Sequence, residues 1–90
     1  MSSEQPADAD EFLPQLGARI AAARKKKGLS QQRTAEKARI GRQHLIEVEA
    51  GTRNVSVRIL AHIAYATGTT ASALLRGLSV TDTDRPESRR

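Results

Sequence analysis

Apolar residues recur along the middle of the chain at three- and four-residue spacings, and nowhere do they alternate every second residue as a half-buried strand requires. Leu16, Ile20 and Ala23 stand at i, i+4 and i+7 and predict a helix over 14–27. Pro14 suits its first turn. Gly28 stops it, after a run of lysines that suits the negative end of the helix dipole. Ser30 is a good N-cap for a second helix over 31–38, whose small inner face is Thr34, Ala35 and Ala38. A third helix is predicted over 41–50, with Leu45 and Val48 inward and Gly51 as stop. Ser56 caps a fourth over 57–67, with Val57, Leu60, Ile63 and Ala64 inward and Gly68 as stop. Thr70 caps a short fifth over 71–76 that bears Leu74 and Leu75. The pattern predicts a compact all-α domain of five helices.

The two ends read differently. Residues 1–11 are polar and acidic, and 79–90 are polar with Pro86 and no apolar period, so both are predicted to be disordered tails around a folded part at 12–78. A length of 90 residues fits one domain. The chain has fourteen Ala against eight Leu and five Ile, so its helices can approach closely but have little bulk to bury. Domains this small are marginal, and a partner subunit is one way to add burial.

Composition removes several functional classes. Without cysteine there is no disulfide framework, thiolate metal site or cysteine nucleophile. His44 and His62 do not fall at metal-ligand spacing on one helix face, so no metal is expected. Phe12 and Tyr65 are the only aromatics, too few for a surface that reads single strands by stacking. No apolar run approaches the roughly 20 residues of a membrane span. The acidic N-terminus lacks the basic-then-apolar order of a signal peptide. These features predict a soluble, cytoplasmic chain. No paired carboxylates, nucleophile–base pair or phosphate loop suggests an enzyme, and neither a cofactor nor a small-molecule ligand is expected.

Charge then changes the picture. The net +5 hides an asymmetry. Residues 1–18 hold Glu4, Asp8, Asp10 and Glu11 and no base. Residues 19–58 hold eleven bases against three acids, a net +8. A forty-residue block of that charge suits a polyanion partner. Inside it, the second and third helices are joined by only Arg39, Ile40 and Gly41, the geometry of a helix-turn-helix. Three demands of that geometry are met: Ala35 is small where the helices cross, Ile40 plugs the turn, and Leu45 and Val48 bury one face of the third helix. The opposite face carries Arg42, Gln43, Ile46 and Glu47, as readout in a major groove requires. Arg pairs with guanine and Gln with adenine; Ile46 can touch a thymine methyl or pack at the helix edge. Glu47 can accept from cytosine, hold Arg42, or repel misplaced DNA.

The strings LGARIAAARKKKGLSQQRTAEKA, LIEVEAGTRNVS, ILAHIAYATG and ALL resemble the helix-turn-helix family of lambda repressor, Cro and the xenobiotic-response-element regulators, over about residues 16–75. The string GTRNVS also resembles the controller proteins of restriction–modification systems. The resemblance implies that Gln31 bonds a phosphate and braces the first reading residue, with Ser30 beside it. It implies an ion pair between Arg24 and Glu49 that ties the first helix to the third. Arg53 and Asn54 in the loop after the third helix are predicted DNA phosphate contacts, with the Asn54 backbone N–H as a candidate donor; His44 is a further candidate for such a contact, and Arg39 and Arg58 are secondary ones. Four positions depart from the family. Arg39 stands where the turn usually has Gly, Thr34 replaces a core Leu, and Thr67 and Thr69 stand at usually apolar positions. These thin the core without touching the reading face.

Tyr65, Leu74, Leu75 and Leu78 are then either a lid on the core or a dimer seam. A seam is favoured, because small DNA readers usually bind two half-sites about one turn apart. The sequence thus predicts a homodimeric, sequence-specific regulator of transcription that binds a palindromic operator in double-stranded DNA. The alternative is an antitoxin or other protein-interaction module that recognises its partner through the tails.

Overall fold

The computed structural model describes residues 12–80. Five helices follow one another: α1 Phe12–Lys26, α2 Gln31–Ala38, α3 Arg42–Ala50, α4 Val57–Ala66 and α5 Ala71–Leu75. No strand occurs among the described residues. Of the tails predicted to be disordered, 1–11 and, past Ser79 and Val80, the rest of 79–90 lie outside the described residues.

Local chemistry sets most boundaries. The hydroxyl oxygens of Ser30, Ser56 and Thr70 accept hydrogen bonds from the backbone N–H groups of Arg33, Ile59 and Ala73 at 3.0–3.1 Å. Each bond satisfies an N–H that the first helical turn leaves without a partner. The chain is already helical at Phe12, the first described residue, two positions before Pro14. The turn after α2 is closed by Arg39 in the left-handed conformation at φ 61°, the one non-glycine residue of positive φ among those described. Its N–H donates to the Glu36 carbonyl and that of Ile40 to the Ala35 carbonyl.

α1 packs mainly on α3, and α2 packs on both α3 and α4. Leu16 and Ile20 from α1, Ala35 and Ala38 from α2, Leu45 and Val48 from α3, and Leu60 and Ile63 from α4 fill the centre. Ile40, half-buried, packs on this cluster from the turn. Val57 is a correction. It was expected inward but is 81% exposed. It is the first residue of α4 and faces away from the body, and Val55 in the preceding loop packs on the core instead. Leu74 follows the lid alternative. It is only 4% exposed and belongs to the core, so it has no surface to offer a seam.

Two threonines that thin the core differ in their hydrogen bonding. Thr67 Oγ1 donates to the Ile63 carbonyl at 2.8 Å. Thr34 is fully buried, and its hydroxyl meets no partner among the described residues.

A tight backbone approach sits beneath α3. A Cβ at Gly17 would run into the carbonyl oxygens of Val48 and Glu49, so only glycine lets α1 lie this close to the end of α3. Gly51, at φ 78°, similarly faces Pro14, and a Cβ there would lie 2.5 Å from the Pro14 Cα.

Candidate nucleic-acid interface

α3 offers an edge in two layers. Arg42 and Gln43 are exposed at its start, and Ile46 and Glu47, one turn on, are half-buried. The side opposite faces the core through Leu45 and Val48. The Glu47 carboxylate accepts from Gln43 Nε2 at 3.2 Å and from Arg53 Nη1 at 3.1 Å. Its partners are therefore Gln43 and Arg53 rather than Arg42. The Gln43 bond first, and the Arg53 bond after it, hold the Glu47 pKa below the ordinary value of 4.5. Arg42 enters no ion pair among the described residues.

At the other end of α3, Glu49 is gripped from behind. Arg24 Nε donates to Oε2 at 2.7 Å and Nη2 to Oε1 at 3.1 Å. The third guanidinium nitrogen, Nη1, donates to the Leu29 carbonyl at 3.0 Å. This two-pronged geometry fixes orientation as well as contributing energy. Gln31, the first residue of α2, donates from Nε2 to Glu49 Oε1 at 3.0 Å. Gln31 thus braces the far end of α3 rather than the first reading residue. One amide N–H and the amide oxygen remain for other partners.

The remaining candidates lie around this edge. The Ser30 oxygen caps α2, leaving its O–H as a donor. Arg53 and Asn54 are exposed in the loop between α3 and α4, and Asn54 Oδ1 accepts from the Val55 N–H at 2.9 Å. Thr52 did not stand out in the sequence; its N–H and hydroxyl both donate to the Glu47 carbonyl. His44 is half-buried on the flank of α3. Of the seam candidates, Tyr65 is 79% exposed, Leu75 is exposed and Leu78 lies half-buried on the core. Gly17 did not stand out either. The only hint was a glycine within a helix, which lowers propensity by about 1 kcal/mol unless packing requires it.

The helix-turn-helix with this exposed edge matches a known family model. The model described as helix-turn-helix, HTH_3, matches residues 20–74. The chain belongs to the HTH_3 family. No curated protein matches it significantly. Several solved structures do. The restriction–modification controller protein C.AhdI from Aeromonas hydrophila is 34% identical, with a TM-score of 0.67 over 69% of this chain and 94% of its own. The clp gene regulator ClgR from Corynebacterium glutamicum is 31% identical, with a TM-score of 0.69 over 71% of this chain and 68% of its own. A hypothetical transcription factor, NHTF, from Neisseria is 25% identical, with a TM-score of 0.70 over 99% of this chain and 92% of its own. Among the described residues no helix is long and apolar enough to cross a membrane.

Proposed function

We propose that this HTH_3 chain is a sequence-specific regulator of transcription that binds double-stranded DNA as a homodimer, with α3 in the major groove. The observation that carries this reading is the division of labour along α3. Its start offers Arg42 and Gln43 outward, while its end is held by Arg24, Glu49 and Gln31. A reading helix needs both: side chains free to meet base edges, and a backbone that does not wander. The likeness to controller and gene-regulator structures supports it.

In this reading Arg42 and Gln43 read bases, Ile46 touches a thymine methyl, and Glu47 keeps Gln43 and Arg53 in place until DNA arrives. Ser30, Gln31, His44, Arg53 and Asn54 hold the phosphate backbone and set register. Two half-sites about one helical turn apart then form a palindromic operator. The seam between copies draws on Tyr65, Leu75 and Leu78, while Leu74 serves the core.

Selection of bound duplexes from a random library tests the reading. An enriched palindrome supports it, and equal affinity for all duplexes overturns it. Sedimentation at micromolar concentration tests the homodimer, which a monomer at every concentration would exclude.

A further inference from the structure

An open groove of about 840 Å³ runs along the junction of α2 and α4. Ile40 and Ile59, both half-buried, lie in its floor and rest on the core. Lys37 and Arg39 line it from α2 and the turn, and Arg58 and His62 line it from α4. Arg58, Ala61 and His62 stand at i, i+3 and i+4, so one face of α4 forms that wall. Among the described residues no acid lines the groove, and none of its bases stands within ion-pair distance of a carboxylate. The groove shares no residue with the reading edge at 42, 43, 46 and 47.

The described surface of this chain does not supply the complement. Its carboxylates are those of Glu36, Glu47 and Glu49, and each already meets an arginine: Arg33 at 3.9 Å, Arg53 at 3.1 Å and Arg24 at 2.7 Å. A second copy docked face to face would set base against base. A DNA backbone would meet the bases but leave the isoleucines facing phosphate. An acidic chain with an apolar stripe satisfies both walls and floor. A cleft between two packed helices suits a third helix, laid in with its apolar face down.

We propose that the α2–α4 groove docks an acidic amphipathic helix of a partner protein, its apolar stripe on Ile40 and Ile59 and its carboxylates on Lys37, Arg39, Arg58 and His62. The carboxylates flank the stripe on both edges, because bases stand on both walls of the groove. Exposed ion pairs are individually weak and screened by salt. They select the sign and register of the partner, and the apolar floor supplies the rest of the binding. Tyr65, at the α5 end of the groove, is left to the seam between copies. The inference does not depend on DNA binding, and α3 stays uncovered while the groove is filled.

The probe is a synthetic helical peptide with leucines along one face and glutamates on both sides of them, added to the full chain. NMR follows the methyl signals of Ile40 and Ile59 and the ring of His62, and fluorescence anisotropy of the labelled peptide gives its affinity. The expected result is that these groove signals shift to saturation while the backbone signals of Arg42 and Gln43 stay in place. Arg58→Glu and, on the opposite wall, Lys37→Glu change exposed residues, so the helical circular dichroism should persist while affinity falls about tenfold or more. The same peptide with glutamine in place of leucine should bind far more weakly. Equal binding of the leucine-free peptide overturns the proposal, because the groove is then only a charged surface. So does full affinity in both charge-reversed variants, or a peptide response centred on Arg42 and Gln43. Groove signals that move with duplex DNA instead of the peptide would assign the groove to a phosphate backbone. Groove signals that move with protein concentration alone would assign it to a second copy, and either result overturns the proposal.

Discussion

Gln31 and Glu49, eighteen positions apart, are joined by a 3.0 Å hydrogen bond onto the carboxylate oxygen that Arg24 Nη2 also holds. The start of α2, the end of α3 and the last turn of α1 therefore meet at one carboxylate. Glu49→Ala strips Arg24 of both charge-assisted bonds at a nearly buried site. Breaking such a pair from one side typically costs 3–5 kcal/mol, and about 3 kcal/mol is expected here. Urea denaturation reads it. Arg24→Met combined with Glu49→Leu should recover most of the loss, because no charge is then stranded. A loss below about 1 kcal/mol for Glu49→Ala would mean that the pair behaves as a surface pair.

Arg39 adopts φ 61° where glycine meets no Cβ penalty. The left-handed region costs an L-residue about 1–2 kcal/mol, part of which glycine returns through the greater freedom of its unfolded chain. Arg39→Gly should raise stability by about 0.5–1 kcal/mol in thermal or urea unfolding. A loss would show that the Arg39 side chain contributes more than its backbone strain.

Thr34→Val replaces a buried hydroxyl without a partner by a methyl of the same shape. Leaving such a group unsatisfied costs about 1–3 kcal/mol, so the substitution should stabilise the domain by about 1 kcal/mol or more. Chemical denaturation decides it, and destabilisation would reveal a bond from the hydroxyl to the preceding helical turn.

Glu47 gives a pH dependence. Its pKa in the folded chain lies below 4.5, so its bonds to Gln43 and Arg53 stabilise the fold above that value. The stabilisation fades as pH falls through the lowered pKa. In an NMR titration, Gln43→Ala and Arg53→Ala should each raise the Glu47 pKa toward 4.5. No change in either variant would disprove the bonds as the cause.

Arg42→Ala and Arg53→Ala should separate by mechanism. Loss of Arg42 should relax preference at one base position and cost about 1–3 kcal/mol on the preferred duplex. Loss of Arg53 should weaken all duplexes alike and reduce the salt slope by about 1. Binding isotherms at several salt concentrations on two duplexes suffice, and an exchange of the two patterns would refute the assigned roles.

The helices were legible because short-range chemistry set their ends. Ser30, Ser56 and Thr70 mark starts that depend on one hydroxyl and one N–H three residues on, a relation written wholly in local sequence. Val57 misled because apolar spacing does not say which side the first residue of a helix faces. Leu74 looked available for a seam because leucine spacing cannot separate a lid on the core from an outer contact. The partners of Glu47 and Gln31 lie in space rather than along the chain. Arg53 arrives through a loop turn and Glu49 through the fold of α3 onto α2, so residue types alone left both roles open. Gly17 was silent for the same reason, since its requirement comes from carbonyls more than thirty positions away.

That contact at Gly17 bears on how DNA is accommodated. With no side chain between α1 and the end of α3, backbone packs directly on backbone there, which in the proposed function leaves α3 little freedom to re-aim. In the proposed complex, a duplex whose groove is too wide or too straight must itself twist or bend to fit. Base pairs that no side chain touches then influence affinity through their stiffness, and part of the preference is a mechanical property of the DNA.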